Sequence, residues 1–145
     1  MKSAPPALYL ETSYVLAWLF GETHSQKYNR EVDAASAVAT SVLTTMEVER
    51  GLLRALAQGR INIAENIKLL GMFRSVASGW LFIEISKTIR EQVGNSFPIE
   101  PIRTLDAIHL ATATMLLAAY PDLKILTLDQ RVSANAKAMG LDLLA

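Results

Sequence analysis

Short, continuous apolar runs alternate along this chain with longer segments in which apolar residues recur at helical spacing. Four of these runs have the length of buried strands, and they cover residues 7–10, 37–42, 80–85 and 123–128. Continuous apolar runs are typical of strands in a parallel sheet, because helices cover both faces of such a sheet. The alternation therefore predicts an α/β fold, a three-layer αβα sandwich with a mainly parallel sheet and helices on both faces.

Helices are predicted between these strands and after the last one. The predicted segments are residues 14–21, 25–35, 61–77, 86–95, 104–120 and 131–139. A further helix is expected after the second strand, with Thr44 or Thr45 as its N-cap. In the helix at residues 61–77, the residues expected to face the core are Ile63, Ile67, Leu70 and Phe73. Residues 141–144 can add an edge strand.

Composition narrows the possible functions. The 145 residues suit a single domain covering residues 1–145. The absence of cysteine excludes thiolate sites and favours a cytoplasmic location. With only two histidines, a histidine-rich zinc site is disfavoured. Any metal would be bound by oxygen, which favours Mg²⁺ or Mn²⁺. The 14 basic and 14 acidic residues balance, which argues against an architectural DNA-binding protein, and no apolar window predicts a membrane span.

Four acidic residues are placed at one edge of the predicted sheet. Glu11 ends the first strand, and Asp129 ends the strand at residues 123–128. Asp106 and Glu47 fall in the first turns of predicted helices, where the helix dipole favours a carboxylate. Each acid alone is more often a capping or turn residue than a functional one. Because ligands of such folds bind beyond the carboxyl ends of the strands, we expect the four acids to meet there.

Carboxylates that lie close together need a positive charge between them. Two of them ~4 Å apart repel by about 4 kcal/mol at an effective dielectric constant of about 20. Such a cluster has to take up protons or bind a cation, and hard oxygen ligands suit Mg²⁺ or Mn²⁺. A divalent ion held in this way favours phosphodiester hydrolysis over glycoside hydrolysis, which needs only two carboxylates.

The residues around these acids resemble the four motifs of the PIN-domain family. They read LYLETS, LTTMEVERGLLRA, RTLDAIHLATA and ILTLDQRVSANAKAMGL, in the order and at the approximate spacing of that family. The resemblance covers nearly the whole chain. It is most specific at LDAIHLATA and LTLD, which are similar to the VapC-type toxins of toxin–antitoxin pairs.

This resemblance implies a metal-dependent endoribonuclease that hydrolyses RNA phosphodiester bonds as the toxin of a type II toxin–antitoxin pair. It implies that the four motif acids are catalytic and bind Mg²⁺ or Mn²⁺, directly or through water, and these acids are Glu11, Glu47, Asp106 and Asp129. Thr127 matches a hydroxyl residue that often precedes the last acid, and Ser13 matches a small polar residue after the first. The implied partners are RNA, a cognate antitoxin and a second copy of the chain.

One residue departs from the family pattern. The first motif acid is usually aspartate, whereas this chain has Glu11. The additional methylene moves the carboxylate by more than ~1 Å, and misplacement on that scale can cost a great deal of rate. The alternative function is therefore a non-catalytic PIN module that binds RNA or a protein partner. A phosphoryl-transfer domain of the response-regulator type is disfavoured, because the first motif lacks adjacent acids.

Other side chains near the motifs have competing interpretations. Glu49 is a rival to Glu47, but the two cannot share a helical face, and the motif favours Glu47. His109 lies three residues after Asp106 and can reach the same edge; we interpret it as a packed helix histidine and leave it out of the site. Arg103 is a candidate for contact with a substrate phosphate, with a solvated surface as the alternative.

The aromatic residues of the first helix are also open to two interpretations. Trp18 and Phe20 can pack in the core or form the surface of a dimer. The sequence does not separate these possibilities.

Overall fold

The computed structural model describes residues 3–144, in which strands and helices alternate. In chain order the elements are β1 (Leu8–Leu10), α1 (Thr12–Leu19), α2 (Thr23–Gln26), α3 (Asn29–Ala34), β2 (Val38–Ser41), α4 (Val42–Ala57), α5 (Ile63–Ala77), β3 (Leu81–Ile83), α6 (Lys87–Val93), α7 (Thr104–Leu116), β4 (Lys124–Leu126), α8 (Gln130–Ala138) and β5 (Asp142–Leu143).

The strands form one five-stranded sheet in the order β3-β2-β1-β4-β5. Every neighbouring pair is parallel, and Leu10 of β1 lies beside Leu126 of β4. The central strand β1 is fully buried, which agrees with its uninterrupted apolar sequence. Since β1 and β4 are parallel neighbours, the residues that follow them come out at the same edge of the sheet.

The two faces of the sheet carry separate apolar cores because successive strand side chains point to opposite faces. Leu8 and Leu10 pack in the core formed with α1, α4 and α5. Tyr9 packs in the core formed with α7 and α8. The predicted three-layer αβα sandwich is therefore confirmed.

Several predicted boundaries were wrong. The helix predicted at residues 25–35 is two short helices, α2 and α3, and the one predicted at residues 104–120 ends at Leu116. Neither Thr44 nor Thr45 caps α4: the helix begins at Val42, because the Ser41 hydroxyl accepts a hydrogen bond from the Leu43 amide. Glu47 consequently lies in the second turn of α4 and not in the first.

The predicted buried face of α5 was also wrong in part. Ile63 and Ile67 are 69% and 67% exposed, whereas Phe73 is buried as predicted. The buried residues of α5 are Phe73 and Ala77 in the second half of the helix, and the predicted Leu70 packs against the same core while partly buried. The isoleucines of the first half face solvent in this single chain.

Between residues 3 and 144, none of the helices combines the length and the apolar character that crossing a membrane would require.

Candidate active site

The acid of the first motif lies at the end of the central strand and caps the helix that follows. Glu11 is 5% exposed, and its carboxylate accepts a hydrogen bond from the Ser13 amide at 2.9 Å. Its Oε1 accepts two further hydrogen bonds of 2.6 Å, from the hydroxyls of Ser13 and Thr127. The hydroxyl residues after Glu11 were expected to cap α1, and this was wrong, because Glu11 itself is the N-cap. The two hydroxyl residues singled out in the sequence, Ser13 and Thr127, both hold its carboxylate.

The acid of the fourth motif follows the neighbouring strand and has the corresponding role. Asp129 is the N-cap of α8, where its Oδ1 accepts hydrogen bonds from the amides of Arg131 and Val132. The Thr127 hydroxyl accepts a hydrogen bond of 3.1 Å from the Asp129 amide. Thr127 thus links the ends of β1 and β4, because it contacts both acids.

Arg103 connects the acids of the third and fourth motifs. Its Nε donates to Asp106 Oδ2 at 2.9 Å, and its Nη2 lies 3.3 Å from Asp106 Oδ1 and 3.4 Å from Asp129 Oδ2. The Asp106 side chain is only 9% exposed, whereas that of Arg103 is 62% exposed. The pKa of Arg103 is raised by the hydrogen bond and charge of Asp106 and, to a smaller extent, by the charges of Asp129 and Glu11.

The acid of the second motif lies on α4 and faces a buried imidazole. Glu47 Oε1 is 2.6 Å from the Thr12 hydroxyl, which donates to it, and 2.7 Å from His109 Nε2. Burial acts to raise the pKa of Glu47, but the hydrogen bonds from His109 and Thr12 and the charges of His109 and Arg103 outweigh it, so that the pKa is lowered. Glu47 is therefore held as a carboxylate within the field of Arg103.

Contacts thus link three of the four acids: Arg103 bridges Asp106 and Asp129, and Thr127 bridges Asp129 and Glu11. Arg103 contacts Asp106 and Asp129, and it is close enough to Glu11 and Glu47 for their charges to act on each other. The structure brings the four sequence-predicted acids to one edge of the sheet. In residues 3–144, however, no group of three or more His, Asp or Glu side chains is arranged to hold a metal ion.

The chemistry of the donor set fits a hard divalent cation. It consists of four carboxylates with the hydroxyls of Ser13 and Thr127 beside them, and oxygen ligands of this kind suit Mg²⁺ and Mn²⁺. The contacts of Arg103 indicate the same preference for a cation, since a guanidinium already compensates two of the carboxylates.

Two cavities border the acids on either side. The cavity of about 590 Å³ is lined by residues that include Arg103, Asp106, Gln130 and Arg131. The cavity of about 360 Å³ is lined by residues that include Thr12, Met46, Glu47, Arg50, Arg54 and Leu105. The larger cavity balances two arginines with Glu100 and Asp106, whereas the smaller one has two arginines and only Glu47, so an anionic polymer would meet excess positive charge in the smaller cavity.

Three side chains in and around the group of acids were not predicted from the sequence. Thr12 and His109 both contact Glu47, and Tyr9 contacts His109. The position of His109, three residues after Asp106, was a usable signal, because such residues lie on one face of a helix. For Tyr9 and Thr12 the sequence holds no such signal.

The two aromatic residues left open in the first helix are both partly buried. Trp18 lies 6.4 Å from the Trp80 ring between centroids, and Phe20 lies beside Arg60. Both pack against the core on the α1 face of the sheet.

Comparison with known proteins finds a matching family model and similar full-length sequences. Residues 8–138 match the model of the PIN domain. The chain is 30% identical over 139 residues to Ribonuclease VapC46 of Mycobacterium tuberculosis (strain ATCC 25618 / H37Rv), with 96% of this chain and 97% of the relative covered. It is 29% identical over 140 residues to Ribonuclease VapC35 of M. tuberculosis (strain CDC 1551 / Oshkosh), covering 95% and 96%.

A solved structure has a similar fold. A chain of a toxin–antitoxin complex from Klebsiella pneumoniae aligns with a TM-score of 0.62 and 21% sequence identity, covering 88% of this chain and 90% of that one.

Proposed function

The chain belongs to the PIN-domain family, and from this membership we propose that it is an endoribonuclease that hydrolyses RNA phosphodiester bonds with the help of a divalent cation. The observation that carries the proposal is that Arg103 bridges Asp106 and Asp129 at the edge of the sheet where Thr127 also contacts Glu11. The relatives that match nearly the full length of the chain are named ribonucleases, which supports the same activity.

The four acids are the proposed ligands of Mg²⁺ or Mn²⁺, directly or through water. When bound, such an ion supplies Lewis-acid activation of water and compensation of the charge that develops on the phosphate. Asp106 and Asp129 would hold the ion with the carboxylate oxygens that Arg103 now contacts, so the guanidinium and an ion would compete for them. The hydroxyls of Ser13 and Thr127 keep the Glu11 carboxylate in place throughout.

Arg103 is the proposed phosphate-binding residue. Its side chain is mostly exposed and reaches the acids from the wall of the larger cavity. The planar fork of a guanidinium matches two phosphate oxygens as well as it matches a carboxylate. An arginine that leaves Asp106 and Asp129 can therefore hold the phosphate group of RNA beside the same carboxylates.

We also propose that the chain is the toxin of a type II toxin–antitoxin pair that acts in the cytoplasm. Similarity to VapC ribonucleases and to a chain from a toxin–antitoxin complex supports this role. The cognate antitoxin would cover the cleft that holds the acids. A homodimer is proposed as well, because Ile63, Ile67 and Val76 leave exposed apolar surface along α5, and size-exclusion chromatography with light scattering tests it.

Cleavage of RNA by the purified chain tests the proposed activity. With Mn²⁺ present, structured and single-stranded RNA should be cut, and EDTA should abolish cleavage. Asp106→Asn should lower kcat by about 100-fold to 1000-fold, the loss typical of removing one group that stabilises the transition state. Asp142→Asn is the matched control, because it makes the same chemical change on the edge strand β5 and should leave kcat unchanged. Cleavage that survives EDTA or persists at full rate in Asp106→Asn contradicts the proposal.

A non-catalytic module remains the second candidate, because Glu11 replaces the usual aspartate and is engaged by three hydrogen bonds. Glu11→Asp separates the two functions. An RNase should retain activity or gain it in this variant. If neither form cleaves any RNA while both bind RNA or a protein partner, the non-catalytic function is correct.

A further inference from the structure

A buried chain of hydrogen bonds joins the acid of the second motif to the central strand. The Tyr9 hydroxyl on β1 lies 2.7 Å from His109 Nδ1 on α7, and His109 Nε2 lies 2.7 Å from Glu47 Oε1 on α4. The Thr12 hydroxyl lies 2.6 Å from the same Glu47 oxygen and 3.1 Å from His109 Nε2. Residues of the helices α1, α4 and α7 therefore meet at one carboxylate oxygen.

The donors and acceptors in this series of hydrogen bonds are consistent with only one tautomer of a neutral His109. A neutral imidazole has one N–H group and one bare nitrogen. Because the Glu47 carboxylate only accepts hydrogen bonds, the proton has to be on Nε2, which then donates to Oε1. Nδ1 is left to accept from the Tyr9 hydroxyl.

Burial separates this arrangement from an ordinary surface contact. Tyr9 is fully buried and His109 is 2% exposed, while the Glu47 side chain is 24% exposed and lines a cavity. The series of hydrogen bonds thus runs from the buried Tyr9 to the open site at Glu47. A histidine needed only for packing would not require a carboxylate at Nε2 and a phenol at Nδ1, because an apolar side chain fills such space without burying polar groups.

We infer that His109 is a positioning residue for Glu47: Tyr9 orients the imidazole, and the imidazole with Thr12 holds Glu47 Oε1, so that Oε2 is the oxygen left for a cation or its water. This inference rests on the proposed function, in which Glu47 is an active-site acid. A carboxylate held by two hydrogen bonds to one oxygen cannot turn freely, and outer partners of this kind orient metal ligands and raise their affinity.

Paired substitutions at position 109 test the inference. The amide nitrogen of glutamine lies near the position of Nε2, so His109→Gln can still donate to Glu47, whereas His109→Leu cannot. His109→Leu should weaken Mn²⁺ binding and lower kcat by about 10-fold to 100-fold, with little change in KM for RNA. His109→Gln should recover most of both losses. Thr114→Val is the matched control. It lies on the same helix and removes the hydrogen bond that the Thr114 hydroxyl donates to the Leu110 carbonyl, which is away from Glu47.

The tautomer of His109 can be measured directly, and a purely structural role of His109 would not require a particular one. In ¹⁵N-labelled, metal-free protein, the two histidines are easily distinguished, since His24 is 62% exposed and His109 is buried. The ring nitrogens of His109 should show the Nε2–H tautomer. Tyr9→Phe should shift the Nδ1 resonance and lower Mn²⁺ affinity without changing the His24 signals.

The outcomes separate this inference from the proposed function. Equal losses in His109→Gln and His109→Leu, wild-type values in folded His109→Leu, or an Nδ1–H tautomer overturn the positioning role. If His109→Leu fails to fold, Tyr9→Phe and His109→Gln decide by the same measurements. If the wild-type chain cleaves no RNA, the proposed function fails, and the order of Mn²⁺ affinities among the variants still decides the role of His109. A wild-type chain that binds no Mn²⁺ contradicts both.

Discussion

Arg103 determines how the carboxylates of this site coexist in the folded chain. It is bonded to Asp106 and Asp129, and its charge acts on Glu11 and Glu47. A cation that enters the site competes with this guanidinium for the same oxygens. The residue that would bind a substrate phosphate is therefore also the residue that opposes metal binding in the absence of RNA.

Arg103→Ala should change two measured constants in opposite directions. Without RNA, Mn²⁺ should bind about fivefold more tightly, the factor that corresponds to removing a competing ion pair worth about 1 kcal/mol. With RNA, KM should rise, because a phosphate contact is lost. Calorimetric titration with Mn²⁺ and steady-state cleavage measure the two effects.

Arg131→Ala is the control for this prediction, since it removes the same charge from the same cavity. Its Mn²⁺ affinity should stay within twofold of the wild type, roughly 0.4 kcal/mol. An Arg103→Ala variant that binds Mn²⁺ more weakly than the wild type would show that the guanidinium supports the ion and does not compete with it.

Individual residues differ in how well their contacts could be predicted from the sequence. The four acids were predicted because each follows or begins an element at one edge of the sheet. The partners of Glu47 were not predicted, because Thr12 and His109 are 35 and 62 residues away from it in sequence. The spacing on α7 places His109 on the face of Asp106, but its bond to Glu47 depends on how α7 packs relative to α4, which no local pattern specifies.

Among the helices and strands, the strands were predicted more accurately than the helix boundaries. Buried parallel strands are continuous apolar runs, so β1, β2, β3 and β4 all lie within the predicted segments. Helix starts depend on which nearby side chain satisfies the first amides. At α1 and α4 this side chain belongs to Glu11 and Ser41, directly after or at the end of the strand, so both helices begin earlier than predicted.

The contact between α1 and α3 predicts a stability change at alkaline pH. The Tyr14 hydroxyl donates to Asn29 Oδ1 at 2.7 Å, and burial together with Asp33 and Glu31 raises the pKa of Tyr14 from 10.0 to about 12. Since the folded state binds this proton more tightly, its contribution to stability is complete below pH 10.0 and is lost as the pH rises toward 12.

Tyr14→Phe should therefore reduce the loss of unfolding free energy between these pH values by about 2 kcal/mol. Urea unfolding at a series of pH values measures it. Tyr28→Phe is the matched control, because the Tyr28 ring packs against Tyr14 with 6.4 Å between the ring centroids. This variant should lose as much unfolding free energy over the same pH range as the wild type. An unchanged slope in Tyr14→Phe would mean that Tyr14 ionises as easily in the folded chain as in the unfolded one.

For the whole molecule, charge is balanced in total but not in distribution. Basic and acidic residues are equal in number, yet the acids of the site are collected at one edge of the sheet. The energetic consequence is that a divalent cation should stabilise the entire fold, because the separate segments bind it together only when they are folded.

Mn²⁺ at about 100 times its dissociation constant should add about 2.7 kcal/mol to the unfolding free energy. For a chain of this size the melting temperature should rise by roughly 5–10 °C. Differential scanning calorimetry with and without Mn²⁺ measures the rise, and Asp106→Asn should reduce it. The same melting temperature in Mn²⁺ and in EDTA would count directly against an ion held by these four acids.

The central place of β1 in the sheet has a consequence for how the chain is made. β1 pairs with β4, and Thr127 holds Glu11 across 116 residues of sequence. While the polypeptide is still being synthesised, β1 has a neighbour on one side only, and Glu11 lacks the Thr127 hydroxyl. A ribosome must therefore translate beyond β4 before the contact between Thr127 and Glu11 can form.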